Sequence, residues 1–118
     1  MVKKRKSRGF EVTGHLDIII SDYEDEFEGE TEKWQEVQIH GDPEGLRTFA
    51  ELLLKIADLD QEQVSDTELP IGESEHYHLR PNFELGKSSV ETIVGRIDAK
   101  GTGHFYDRFI AKDVEKHK

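Results

Sequence analysis

The sequence predicts an α+β fold: a β-β-α-β-β antiparallel sheet covered by one helix over about residues 43–59, with a second helix closing the C-terminus. Three observations carry this. Apolar residues alternate from Phe10 to Ile20, a capped apolar stripe follows from Asp42, and two short β-rich stretches come after a polar connection. Two hairpins joined by a helix most simply make one antiparallel sheet with the helix on its apolar face.

The first strand places Phe10, Val12, Gly14, Leu16, Ile18 and Ile20 on one face, with Glu11, Thr13, His15 and Asp17 on the other. Residues 21–32 then hold seven acids in twelve positions and read as a solvated hairpin connection, because such a segment buries little. The stretch KWQEVQIH, residues 33–40, is the return strand, with Val37 and Ile39 toward the core and Trp34 out of phase with them.

The helix is the clearest element. Asp42 is suited to accept from the unpaired amides of the first turn, and Pro43 fits the first helical position, where its missing N–H costs nothing. Glu44 sits near the positive end of the helix dipole. Leu46, Phe49, Ala50, Leu53, Ile56 and Ala57 form the predicted apolar stripe. After a polar connection, HYHLR and VETIVGRID form a second antiparallel hairpin. The β-branched run Val90, Thr92, Ile93, Val94 favours a strand over the helix that the same spacing permits. Tyr77 and Leu79 are then the core-facing residues of their strand. Phe105, Tyr106, Phe109, Ile110 and Val114 recur at spacings of four and predict the C-terminal helix.

Composition bounds the function. The chain of 118 residues is expected to form a basic, disordered arm over 1–8 and a single domain over 9–118. It has no cysteine, so disulfides and thiolate chemistry are excluded. No continuous apolar run suggests a signal peptide or a membrane span, and the expected location is the cytoplasm. The formal net charge is −10, but five of the 16 cations lie in residues 3–8, so residues 10–118 carry −15. Such a body repels nucleic-acid phosphates and favours a basic protein partner.

Known chemical motifs fail on inspection. GKSS at 86–89 lacks the glycine five residues earlier that a phosphate loop needs, since Pro81 stands there. GTG at 101–103 lacks the third glycine of a dinucleotide loop, and the acidic run places Phe27 where a calcium loop requires glycine. No nucleophile elbow is present, and neither catalysis nor a cofactor is expected. On a strand, His76 and His78 share a face and with His40 would make a zinc set, the metal-binding alternative. A polar sheet face explains the same two histidines. A third alternative is a homodimeric structural or regulatory subunit associating through the last helix.

The stretch VQIHGDPEGLRTFAELLLKIA, followed by HYHL and a short β-branched strand, resembles family thirty-two of the bacterial immunity proteins over about residues 36–97. The resemblance implies an inhibitory protein-binding role and carries no catalytic or binding residue with it. Contact residues are nominated from the acidic run itself: Glu24, Asp25, Glu26 and Glu28, with Trp34 as an aromatic anchor for a basic toxin.

Overall fold

The computed structural model describes residues 12–113, so the basic arm predicted over 1–8 and the last five residues lie outside the described part. Two compact units emerge. One holds the described residues up to Leu59 together with His76–Gly95; the other holds Asp60–Glu75 and the described residues from Arg96 onward.

Among the described residues, the first unit contains the four strands and the long helix. β1 (Leu16–Phe27) pairs antiparallel with β2 (Glu30–Gly41) from Leu16↔Gly41 to Phe27↔Glu30. α1 (Pro43–Asp58) follows at once. β3 (His76–Leu79) pairs antiparallel with β4 (Thr92–Gly95), so residues 92–95 are strand, as their β-branching predicts. The element order and the α+β class match the expectation.

Among the described residues the strands form two two-stranded sheets in place of the predicted single one. The outer edge of β1 is occupied by the connection between β3 and β4: the Gly86 amide donates to the Leu16 carbonyl at 2.9 Å and the Val90 amide to Ile18 at 2.8 Å. Between them the Ile18 amide donates to the Ser89 hydroxyl at 2.9 Å. A side chain thus stands where a strand would supply a carbonyl, which satisfies β1 without a continuous ladder.

The acidic run is also not a loop. β1 and β2 continue through it to a two-residue turn at Glu28 (φ 54°) and Gly29 (φ 82°). Two successive positive φ angles match the right-handed twist of the flanking strands, and glycine supplies the second without strain. The ladder is a backbone structure, so solvated carboxylates on both faces do not oppose it.

Asp42 caps α1 as predicted, accepting from the Gly45 amide at 2.7 Å. The buried face, however, is Gly45, Phe49, Leu52 and Ile56, so only Phe49 and Ile56 of the predicted stripe are buried. The cause is a close approach: a Cβ on Gly45 would lie 1.9 Å from the His15 carbonyl oxygen. The helix therefore rests its glycine edge against the start of β1, and Leu46 and Leu53 turn outward. The core gathers Val12, Leu16, Ile18, Phe49, Leu52, Ile56, Tyr77, Leu79 and Leu85, with Val94 against it. Tyr77 and Leu79 face inward, as expected of that strand.

The second unit is held by polar groups. Buried Gln61 donates to the Asp98 carbonyl at 2.9 Å and accepts from the Glu75 amide at 2.8 Å. Buried Lys100 donates from Nζ to the Val64 carbonyl, to the Leu69 carbonyl at 2.8 Å and to Asp66 at 2.6 Å. The predicted C-terminal helix is absent among the described residues. Phe105 makes an isolated antiparallel bridge to Asp98, and the rings of Phe105 and Phe109 meet through a turn. Ile110 is exposed, so a helical stripe here would have nothing to bury against, and a short unburied helix is marginal in water.

Candidate functional site

The outer part of the β1–β2 hairpin combines acidic charge with exposed aromatic rings. Side chains alternate across a sheet, so Tyr23, Asp25 and Phe27 share a face with Glu36, Trp34, Glu32 and Glu30. Asp22, Glu24 and Glu26 lie on the opposite face with Gln35, Lys33 and Thr31.

Tyr23 and Trp34 are direct cross-strand partners, stacked with ring centroids 5.8 Å apart and planes 20° apart. Both rings are pinned. The Tyr23 hydroxyl accepts from Gln38 Nε2 at 2.9 Å, and Trp34 Nε1 donates to Glu36 Oε2 at 3.0 Å. Phe27 lies next to the turn and is 74% exposed, while Trp34 is 42% exposed. A shallow cleft across the hairpin is lined by Asp22, Tyr23, Glu24, Lys33, Trp34 and Gln35.

The structure divides the nominated residues. Asp25 and Trp34 fall on the aromatic face, Glu24 and Glu26 on the reverse, and Glu28 in the turn. Sequence reasoning missed Tyr23, Phe27, Glu30, Glu32 and Glu36. Extending the two-residue period of β1 past Ile20 puts Tyr23 and Phe27 on the same face as the out-of-phase Trp34, with Tyr23 directly opposite it.

The described histidines are not gathered into one cluster. His76 and His78 are neighbours on β3, with ring centroids 5.3 Å apart, and His78 Nδ1 lies 4.0 Å from Glu91 Oε2. His40 is paired with Asp17 in the other hairpin. Among the described residues no group of three or more histidines or carboxylates could hold an ion.

The strongly held carboxylates are structural. Asp17 is held below the usual aspartate range because the Ser89 and Ser88 hydroxyls donate to it at 2.5 and 2.8 Å. Asp42 is lowered by the Gly45 and His15 amides.

A profile of the family described as Immunity protein 32 matches residues 36–97, just over half of the chain. The chain belongs to this immunity protein family. No curated protein and no solved structure shows significant similarity to it. The matched residues begin at Glu36, in β2, and run through α1 to β4, so the acidic outer part of the hairpin lies outside them. Membership in Immunity protein 32 gives an immunity role in general, which is a role in binding another protein. No helix among the described residues is long and apolar enough to cross a membrane.

Proposed function

We propose that this chain binds and neutralises a basic toxin, acting by occlusion and not by catalysis, and that the outer β1–β2 hairpin makes the contact. The observation that carries the reading is the pinned Tyr23–Trp34 stack set among Asp25, Glu30, Glu32 and Glu36. Exposed aromatic rings on a rigid backbone lose little side-chain entropy on docking, and they are enriched among residues that dominate binding. The surrounding carboxylates attract a cationic surface from a distance and raise the association rate. An arginine of the partner finds both of its usual recognition groups here, a ring face and a carboxylate. Glu24, Glu26 and Glu28 add charge on the reverse face and in the turn.

The test is functional rescue. The polypeptide that accompanies the chain in native mass spectrometry is identified and expressed alone, where it should arrest growth. Wild-type chain should restore growth, and the triple variant D25K/E32K/W34A should not. Full rescue by a folded triple variant would overturn the contact assignment.

A further inference from the structure

The outer edge of β2 has the opposite character to the hairpin tip. In a hairpin with a two-residue turn, the residues flanking the turn exchange hydrogen bonds, so Phe27 pairs this way with Glu30 and every second residue follows. The even-numbered residues of β2 therefore bond to β1, and Thr31, Lys33, Gln35, Val37 and Ile39 direct their amides and carbonyls outward. The donation of the Asp42 amide to the His15 carbonyl at 3.1 Å fits this phase. Among the described residues no further strand pairs with this edge.

Beside the edge lies an unburied apolar band. Val37 is 62% exposed and Ile39 45%, and Ile20, Leu46 and Leu53 are exposed as well. All belong to the side of the hairpin that α1 covers: Ile20 is opposite Val37, Ile18 is opposite Ile39, and Leu46 comes within contact distance of where a Gly41 Cβ would be. Helical spacing puts Ala50 and Ala57 between and beyond Leu46 and Leu53, on the flank of α1 above β2.

We infer that this edge pairs with the β2 edge of a second copy of the chain, antiparallel about a two-fold axis through Gln38. Self-complementarity selects this register. Val37 of each copy meets Ile39 of the other as a hydrogen-bonded pair, in phase with the outward backbone groups. Glu36 of each copy meets His40 of the other, so unlike groups oppose across the axis and like charges do not. Strands about 4.8 Å apart would hold the two α1 helices roughly 10 Å apart, within helix-packing range, where the alanines permit close approach. The acidic body does not forbid the pairing. Ten residues separate Gln38 from Glu28, so each tip extends about 33 Å from the axis in opposite directions, several screening lengths from its counterpart. Glu36 and Gln38 border both surfaces, but Tyr23, Asp25, Glu30, Glu32 and Trp34 stay free on each tip, and the tests below read self-association and not toxin affinity.

The full chain lacks cysteine, which makes the register directly testable. Gln38→Cys places two thiols on the axis at a non-hydrogen-bonded pair, with Cα atoms about 4.5 Å apart, and should give nearly complete disulfide-linked dimer under mild oxidation. Gln35→Cys, whose copies lie roughly 20 Å apart, should not cross-link. By sedimentation, wild type should shift with concentration from 13.6 kDa to twice that mass, and Val37→Pro should stay monomeric. That proline removes only an outward amide, so far-UV circular dichroism should be retained. Three results would overturn the inference. One is a monomer up to millimolar concentration with rapid amide exchange at Gln35, Val37 and Ile39. Another is slow exchange at those amides in a monomer, meaning that the chain covers its own edge. The third is equal cross-linking of both cysteine variants.

Discussion

Ser89 donates its hydroxyl proton to the Asp17 carboxylate at 2.5 Å while the same oxygen accepts the Ile18 amide at 2.9 Å. One buried hydroxyl therefore closes the edge of β1 and holds a carboxylate ionised. Ser89→Ala would leave the Ile18 amide without its acceptor, and a buried group left unmade costs about 1–3 kcal/mol. Chemical denaturation should show that loss, while Lys87→Ala on the same connection should change little.

Acid should destabilise the protein through a defined set of groups. Asp17, Asp42 and Asp98 are lowered from 3.8 and Glu84 from 4.5. Hydroxyl donors lower Asp17, backbone amides lower Asp42 and Arg96 lowers Asp98, while at Glu84 burial raises the value and the hydrogen bonds from Arg80 together outweigh it. A carboxylate with a lowered folded pKa contributes stability that is present above its unfolded value and is lost as pH falls through its folded value. Tm should be flat from neutral pH to about 5 and fall below about 4. Asp17→Asn should lower Tm at pH 7, and its difference from wild type should shrink as the pH falls. A constant difference across the range would contradict the assignment.

Gly45 sets the packing of α1. Gly45→Ala places a Cβ 1.9 Å from the His15 carbonyl oxygen, so helix or strand must move. Overpacking of this kind costs roughly 1–3 kcal/mol, against the usual gain of alanine over glycine inside a helix. Leu52→Ala removes a side chain that is 1% exposed and should cost about 2–5 kcal/mol. Thermal unfolding of the two variants measures both effects.

Lys100 organises the loop 64–69. Lys100→Met keeps much of the aliphatic stem but removes three donations, leaving the Val64 and Leu69 carbonyls and Asp66 without this partner. Native-state hydrogen exchange should quicken across residues 64–73, including the Gly72 amide that donates to the Lys100 carbonyl at 2.9 Å. Unchanged protection there would show that the loop does not depend on the ammonium group.

What was legible in the sequence was local. The cap of α1 lies in Asp42, Pro43 and Glu44, and the strand character of residues 92–95 lies in their own β-branching. The contacts that decided the rest are distant in sequence. Ser89 meets Asp17 across 72 residues, and the burial face of α1 is set where Gly45 meets His15, in another element. The acidic run misled because composition measures what side chains can bury, whereas a hairpin ladder is satisfied by its backbone. The aromatic spacing of four near the C-terminus is met equally by a turn that brings Phe105 to Phe109. Trp34, out of phase with Val37 and Ile39 in the sequence, lies on the face away from them, whereas that phase alone does not single out its partner Tyr23.

The outer hairpin is proposed to dock on a basic toxin. The most direct measurement is the Kd of the purified pair against salt concentration, for wild type and for the D25K/E32K variant with intact fold. Docking through the hairpin predicts tight binding that weakens with salt, a loss of at least about tenfold in the variant, and a shallower salt dependence. Equal affinity and equal salt dependence in the two proteins would contradict it.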